Sequence, residues 1–151
     1  MRQLLVILGL AVLLIPPAAG DDKEKSDTDK LQGEWVAVSM ELSGRKAADD
    51  YVKKTSLVIK GEDWQQTLNG TKAKDRKFKL DPSKSPKEID FELTDPKTDK
   101  AARLTRGIYK FEGDQLILCR QIIPERERPK EFKTTDKDGA ELVVFKRAER
   151  K

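Results

Sequence analysis

The sequence predicts an all-β fold, an antiparallel up-and-down barrel of about eight strands with one short helix. Three observations predict it. Short runs alternate apolar and polar residues at the two-residue period of a strand, most cleanly where Ile89, Phe91 and Leu93 interleave with Glu88, Asp90 and Glu92. Gly, Pro, Asn and Asp punctuate those runs at close spacing. The connections are mostly too short for the crossovers that parallel strands need.

The chain opens on a secretion signal. Met1-Arg2-Gln3 is a short basic start, and Leu4 to Ile15 is a 12-residue run broken only by Gly9. Spanning a bilayer takes about 20 apolar residues. Pro16-Pro17 ends the run, and Ala18-Ala19-Gly20 offers the small residues read at a cleavage site. Residues 1–20 are therefore expected to be removed and the protein exported, periplasmic or extracellular, with no membrane span after cleavage. Residues 21–29 read as a flexible polar lead, and 30–149 as the barrel domain.

The first strand is expected over 34–42, with Val36, Val38, Met40 and Leu42 on one face. Gly44 turns the chain, and 47–54 reads as the short helix because Asp49, Asp50 and Tyr51 break any alternation. A β-rich run, 56–60, is followed by the turn Gly61-Glu62-Asp63 and a strand over 64–68. Asn69-Gly70 is the strongest hairpin signal, since both residues tolerate positive φ. It should return the chain into 72–80, where Phe78 and Leu80 share a face. Asp81-Pro82 and Ser85-Pro86 bracket a loop before the Ile89 strand, and Asp95-Pro96 turns out of it. Strands over 104–111 and 115–123, a charged loop over 124–129 and a last strand over 141–147 complete the set.

Composition limits the chemistry. The formal net charge is +4, with 31 basic and 27 acidic residues interleaved, a solvated surface with no nucleic-acid partner implied. No histidine occurs, which removes the imidazole base, the His-based triad and the histidine zinc site. Cys119, the one cysteine, ends the apolar stretch Leu116-Ile117-Leu118 and reads as buried and inert. Asp136-Lys137-Asp138-Gly139 lacks the further ligands of a calcium loop and reads as a turn. Asp49-Asp50 and the basic run from Lys72 to Lys87 read as solvated, and Asn69-Gly70-Thr71 as a hairpin rather than a glycosylation site. No catalytic residue, metal ligand or cofactor fingerprint is found.

Several segments recur together in this order: Leu31-Gln32-Gly33-Glu34-Trp35, Leu57-Val58-Ile59-Lys60-Gly61, Phe78-Lys79-Leu80-Asp81-Pro82, Ile89-Asp90-Phe91, Gly107-Ile108-Tyr109, Leu116 to Cys119, Arg128-Pro129 with Phe132, and Val144-Phe145-Lys146-Arg147. The set resembles a family of exported planctomycete domains of unknown function that is grouped with lipocalin-like proteins. The resemblance covers nearly all of the chain after the signal. It implies a lipocalin-like barrel and an extracytoplasmic address, and no activity. Gly33-Glu34-Trp35 resembles the lipocalin Gly-x-Trp, whose ring closes the barrel base under a basic side chain of the last strand. The resemblance implies that role for Trp35 and Arg147, with Lys146 second. Strand parity puts Trp35 opposite Val36 and Val38, so either a bulge near Gly33 shifts the register or the ring caps the barrel from outside.

The inward faces give the candidate ligand lining: Phe78, Leu80, Ile89, Phe91, Leu93, Tyr109 and Phe111. Three functions fit. One is a non-enzymatic binding module holding a small apolar or amphipathic ligand. The second is a structural or interaction module of the cell envelope with a filled barrel, its partner an envelope protein. The third is an enzyme that works with carboxylates and lysines alone.

Overall fold

The computed structural model describes residues 26–94 and 101–149. Ten strands form in chain order: β1 Gly33–Leu42, β2 Arg45–Lys46, β3 Ser56–Lys60, β4 Asp63–Leu68, β5 Thr71–Lys72, β6 Arg76–Asp81, β7 Lys87–Thr94, β8 Ala101–Glu112, β9 Gln115–Gln121 and β10 Ala140–Arg147. Two short helices accompany them, α1 Asp27–Leu31 and α2 Asp49–Lys53. Eight strands pair in the order β1-β3-β4-β6-β7-β8-β9-β10, and β10 returns to β1, so the barrel closes; β2 and β5 flank it. Every pairing is antiparallel. Closure removes the free sheet edges that would otherwise invite association.

Turn chemistry sets the strand ends. Asn69 and Gly70 both sit at positive φ, 47° and 77°, and fold β4 onto β5. That return is shorter than the sequence suggested. Residues 73–75 bend away, and β6 begins only at Arg76. The β4–β6 seam therefore rests on two register pairs, Asp63 with Lys77 and Trp64 with Arg76.

Three expectations need correcting. Signal residues 1–20 lie outside the described residues, but the polar lead does not run to residue 29. Ser26 caps α1, and Asp27 is tied to Lys87 and Tyr109. The first strand also carries its bulge at Val38, between Ala37 and Ser39, not near Gly33. Before the bulge Trp35 and Ala37 point inward; after it Met40 does, while Val38 and Leu42 are exposed. A bulge leaves one residue out of the pleat, so the parity of everything beyond it flips. Third, the ninth strand stops at Gln121, and Ile122 and Ile123 are exposed.

One core fills the barrel, with Trp35, Trp64, Phe91, Tyr109 and Phe145 its largest members, each at most 2 % exposed. A smaller cluster of Ile108, Cys119 and Ala140 lies on the outer face of β8, β9 and β10 and is covered by Phe132. Arg128 clamps that covering segment, donating to the Ile89 and Gly107 carbonyls and pairing with Glu88 and Asp90.

Candidate functional site

At the end where the chain enters the barrel, Trp35 and Arg147 meet as the resemblance implied. The two residues are register partners, and the guanidinium carbon lies 4.0 Å from the indole centroid. Arg147 also donates to the Lys30 and Gln32 carbonyls, and Trp35 Nε1 donates to the Leu31 carbonyl at 2.8 Å. Gly33, at φ 108°, has Arg147 Nη1 3.1 Å from where a Cβ would stand. The glycine, the tryptophan and the arginine form one closure that holds α1 against the base. The ring is inside the barrel, so the outside-cap alternative falls.

The same end carries a buried polar link. Asp27 accepts from Lys87 Nζ at 2.7 Å and from the Tyr109 hydroxyl at 2.8 Å. Burial alone would raise the Asp27 carboxyl, but those two bonds and the nearby Lys87 and Lys30 charges hold it below the usual carboxylate value. A depressed folded value means a contribution present above the ordinary carboxyl pKa and lost as pH falls through the folded one. Asp27→Asn should cost about 1.5–3 kcal/mol at neutral pH. Urea titrations from pH 7 down to about pH 3 should show a shallower acid-side loss than in the parent protein.

The candidate lining residues come together, but as packing. Phe78, Ile89, Phe91 and Tyr109 are buried in one cluster, and Leu80 and Phe111 pack against it. The Leu93 side chain lies outside the described residues. Trp64, absent from that expected lining, stands between them, its ring centroid 5.9 Å from Phe78 and 4.9 Å from Phe91, edge to face. Tyr109 donates its hydroxyl hydrogen to Asp27, so that hydrogen is not free for a ligand.

Above those rings, toward Gln66, Arg120 and Glu141, the interior changes character. Leu116 and Leu118 point inward, and two more residues along β9 the same parity turns Arg120 inward, 2 % exposed. Val143 and Phe145 do the same for Glu141 on β10, as Trp64 does for Gln66 on β4. Arg120 Nε donates to Glu141 Oε2 and Arg120 Nη2 to Gln66 Oε1, each at 2.8 Å. The guanidinium carbon lies 5.2 Å from the Phe91 centroid. Arg76, the register partner of Trp64, completes the group. Burial first, and then the Arg120 charge, lower its pKa to about 10 against the pull of Glu141. It stays a cation at neutral pH.

Gly107 makes room for this arrangement. It faces Arg120 in register, and a Cβ there would stand 2.9 Å from both Arg120 Cβ and the Cys119 carbonyl oxygen. The carbonyl belongs to the sheet and cannot yield. Gly107→Ala should cost about 1–3 kcal/mol, the range for overpacking, read as a lower urea midpoint.

Three buried atoms of the upper interior have no protein partner: Arg120 Nη1, Gln66 Nε2 and Thr105 Oγ1. Sequence reasoning passed over Arg120, Gln66, Thr105 and Glu141, and its reading of the basic run from Lys72 to Lys87 as solvated fails at Arg76, which strand parity turns toward Arg120 and Glu141. The signal was present, because counting in twos from Leu116, Val143 and Phe78 lands on Arg120, Glu141 and Arg76.

Several polar groups elsewhere are engaged with protein partners. Asp138 accepts from the Thr135 and Ala140 amides and the Thr135 hydroxyl, so the Asp136–Gly139 stretch is a turn. Lys72, Lys77 and Lys79 pair with Asp75, Asp63 and Glu92. Cys119 is buried, and burial lifts its thiol to about 11. Among the described residues no three acidic or cysteine side chains converge as a metal would require. Comparisons with protein-family models, with curated proteins and with solved structures find no match for this chain.

Proposed function

We propose that this chain is an exported, non-enzymatic binding module whose ligand meets the polar end of the barrel interior. The observation that carries the reading is the set of buried, unpartnered groups on Arg120, Gln66 and Thr105. Buried polar groups without partners are rare in folded proteins, and each calls for an explanation such as a ligand or an internal water. The apolar end offers a ligand no such opening, because Trp64 already fills the space between Phe78 and Phe91. An amphipathic ligand would therefore present its polar part to Arg120. Export is read from the signal pattern of residues 1–20.

A second reading, an interaction module of the cell envelope, is favoured by that same filled core. In it the polar end holds water only. Native mass spectrometry on protein purified from its own host separates the two. A stoichiometric small-molecule adduct, lost in Arg76→Gln, supports binding. An adduct-free mass, together with no small-molecule effect on melting temperature, would leave the interaction module.

A further inference from the structure

We infer that the polar end of the barrel interior is a site for one small monovalent anion, a carboxylate group of formate or acetate size, held by Arg120, Arg76 and Gln66. The inference rests on the binding reading above and names the chemistry of its ligand.

The first support is the orientation of Gln66. Both Arg120 Nη2, at 2.8 Å, and Trp64 Nε1, at 3.5 Å, direct hydrogens at its Oε1. The oxygen is thereby fixed and the amide nitrogen is left with two free hydrogens. Beside it Arg120 donates from Nε to Glu141 and from Nη2 to Gln66, and Nη1 is the nitrogen left without a partner. Thr105, two residues along β8 from the glycine that faces Arg120, has a hydroxyl free to rotate into a donor role. The two other buried atoms lacking a hydrogen bond lie elsewhere. Gln121 Oε1 is on the opposite parity of β9, and Asp90 Oδ1 is 2.8 Å from Arg128 on the outer face. The interior orphans thus all offer hydrogens, and nothing unpartnered among them must accept.

Charge points the same way. Among the described inward-facing groups, Arg76 and Arg120 are opposed by Glu141 alone, an excess of one positive charge. Burying an uncompensated charge is costly, so a bound anion relieves what a neutral water would not. A carboxylate also brings two oxygens that accept from several donors at once, where a water has two lone pairs. Size is limited from below by Trp64 and Phe91 and at the wall by Gly107, which leaves no room even for a Cβ. The two-pair seam between β4 and β6 ends at Arg76, at the edge of the site.

The test is thermal unfolding of the purified protein with formate added at constant ionic strength, gluconate being the only other anion and too bulky to enter. A saturable rise in melting temperature is expected. Gln66→Glu places a carboxylate where the amide stands and cancels the excess charge, so this variant should fold and lose the formate response. Arg76→Gln, at a less buried position, should weaken half-saturation about tenfold or more, the worth of one hydrogen bond to a charged group. No formate response beyond that of gluconate would overturn the anion. If native mass spectrometry then still finds an Arg76-dependent neutral adduct, the binding reading survives without it; if neither appears, both fall. A response undiminished in Gln66→Glu would put the anion elsewhere and equally overturn the site.

Discussion

Trp35→Ala should destabilise the protein by about 3–5 kcal/mol, the range for deleting a large buried aromatic. The ring is 2 % exposed, so nearly all of its area returns to water on unfolding. Truncation also strands its neighbours. The Leu31 carbonyl loses its donor, and Arg147 loses the face it lies over. α1 then keeps the Asp27 link, Leu31 and the Arg147 bond to the Lys30 carbonyl to hold it to the barrel. Urea unfolding followed by the fluorescence of Trp64 should show a lower midpoint with an unchanged slope. Arg147→Ala should lose about 1 kcal/mol from the cation–π contact, and more from its two carbonyl bonds. A midpoint for Trp35→Ala within experimental error of the parent would mean that the ring closes nothing.

Glu141→Ala should cost a comparable 3–5 kcal/mol, for a different reason. Among the described residues the carboxylate is the one inward-facing acid opposing the two guanidiniums of Arg120 and Arg76. Its removal leaves Arg120 charged, 2 % exposed and short of its Nε partner. The cost is that of an unpaired buried charge, not the worth of the pair itself. The double variant Arg120→Met with Glu141→Leu should therefore be far less damaged than Glu141→Ala alone, because apolar residues of similar volume need no partner. Urea midpoints of the two variants give the comparison directly. Equal losses would show that the pair is structural support and the charge argument wrong.

Alternation and turns made most of the barrel legible in the sequence. Ile89 and Phe91 are inward as their period requires, the Asn69-Gly70 turn is where its φ preference puts it, and Ser56–Lys60 is a strand from end to end. What failed has local causes. Val36 and Val38 look like core because β-branched residues suit any strand, and nothing in their pattern announces the bulge that turns Val38 outward. The helix over Asp27–Leu31 is about one turn long and is held by its local bond from Trp35 and by Lys87 and Tyr109, two contacts far off in sequence. The polar interior was harder. A charged residue at a strand end usually faces water, and only the three-dimensional meeting of Arg120, Glu141 and Gln66 shows that these do not. Of the candidate lining, Phe78, Ile89, Phe91 and Tyr109 join the core, Leu80 and Phe111 pack against it, and the Leu93 side chain lies outside the described residues; the expectation was silent about Trp64, whose bulk decides whether they enclose space.

The closure of β1 on β10 also governs when the molecule can form. Arg147 reaches back 115 and 117 residues to the Gln32 and Lys30 carbonyls, nearly the full described length. Contacts of such sequence separation form late and slow folding, since the loop entropy is lost before any bond repays it. Until residue 147 has left the ribosome, β1 has β3 and β2 along one side and no strand along the other, and the base has no lid. Synthesis of β10 is therefore the step that lets the barrel close.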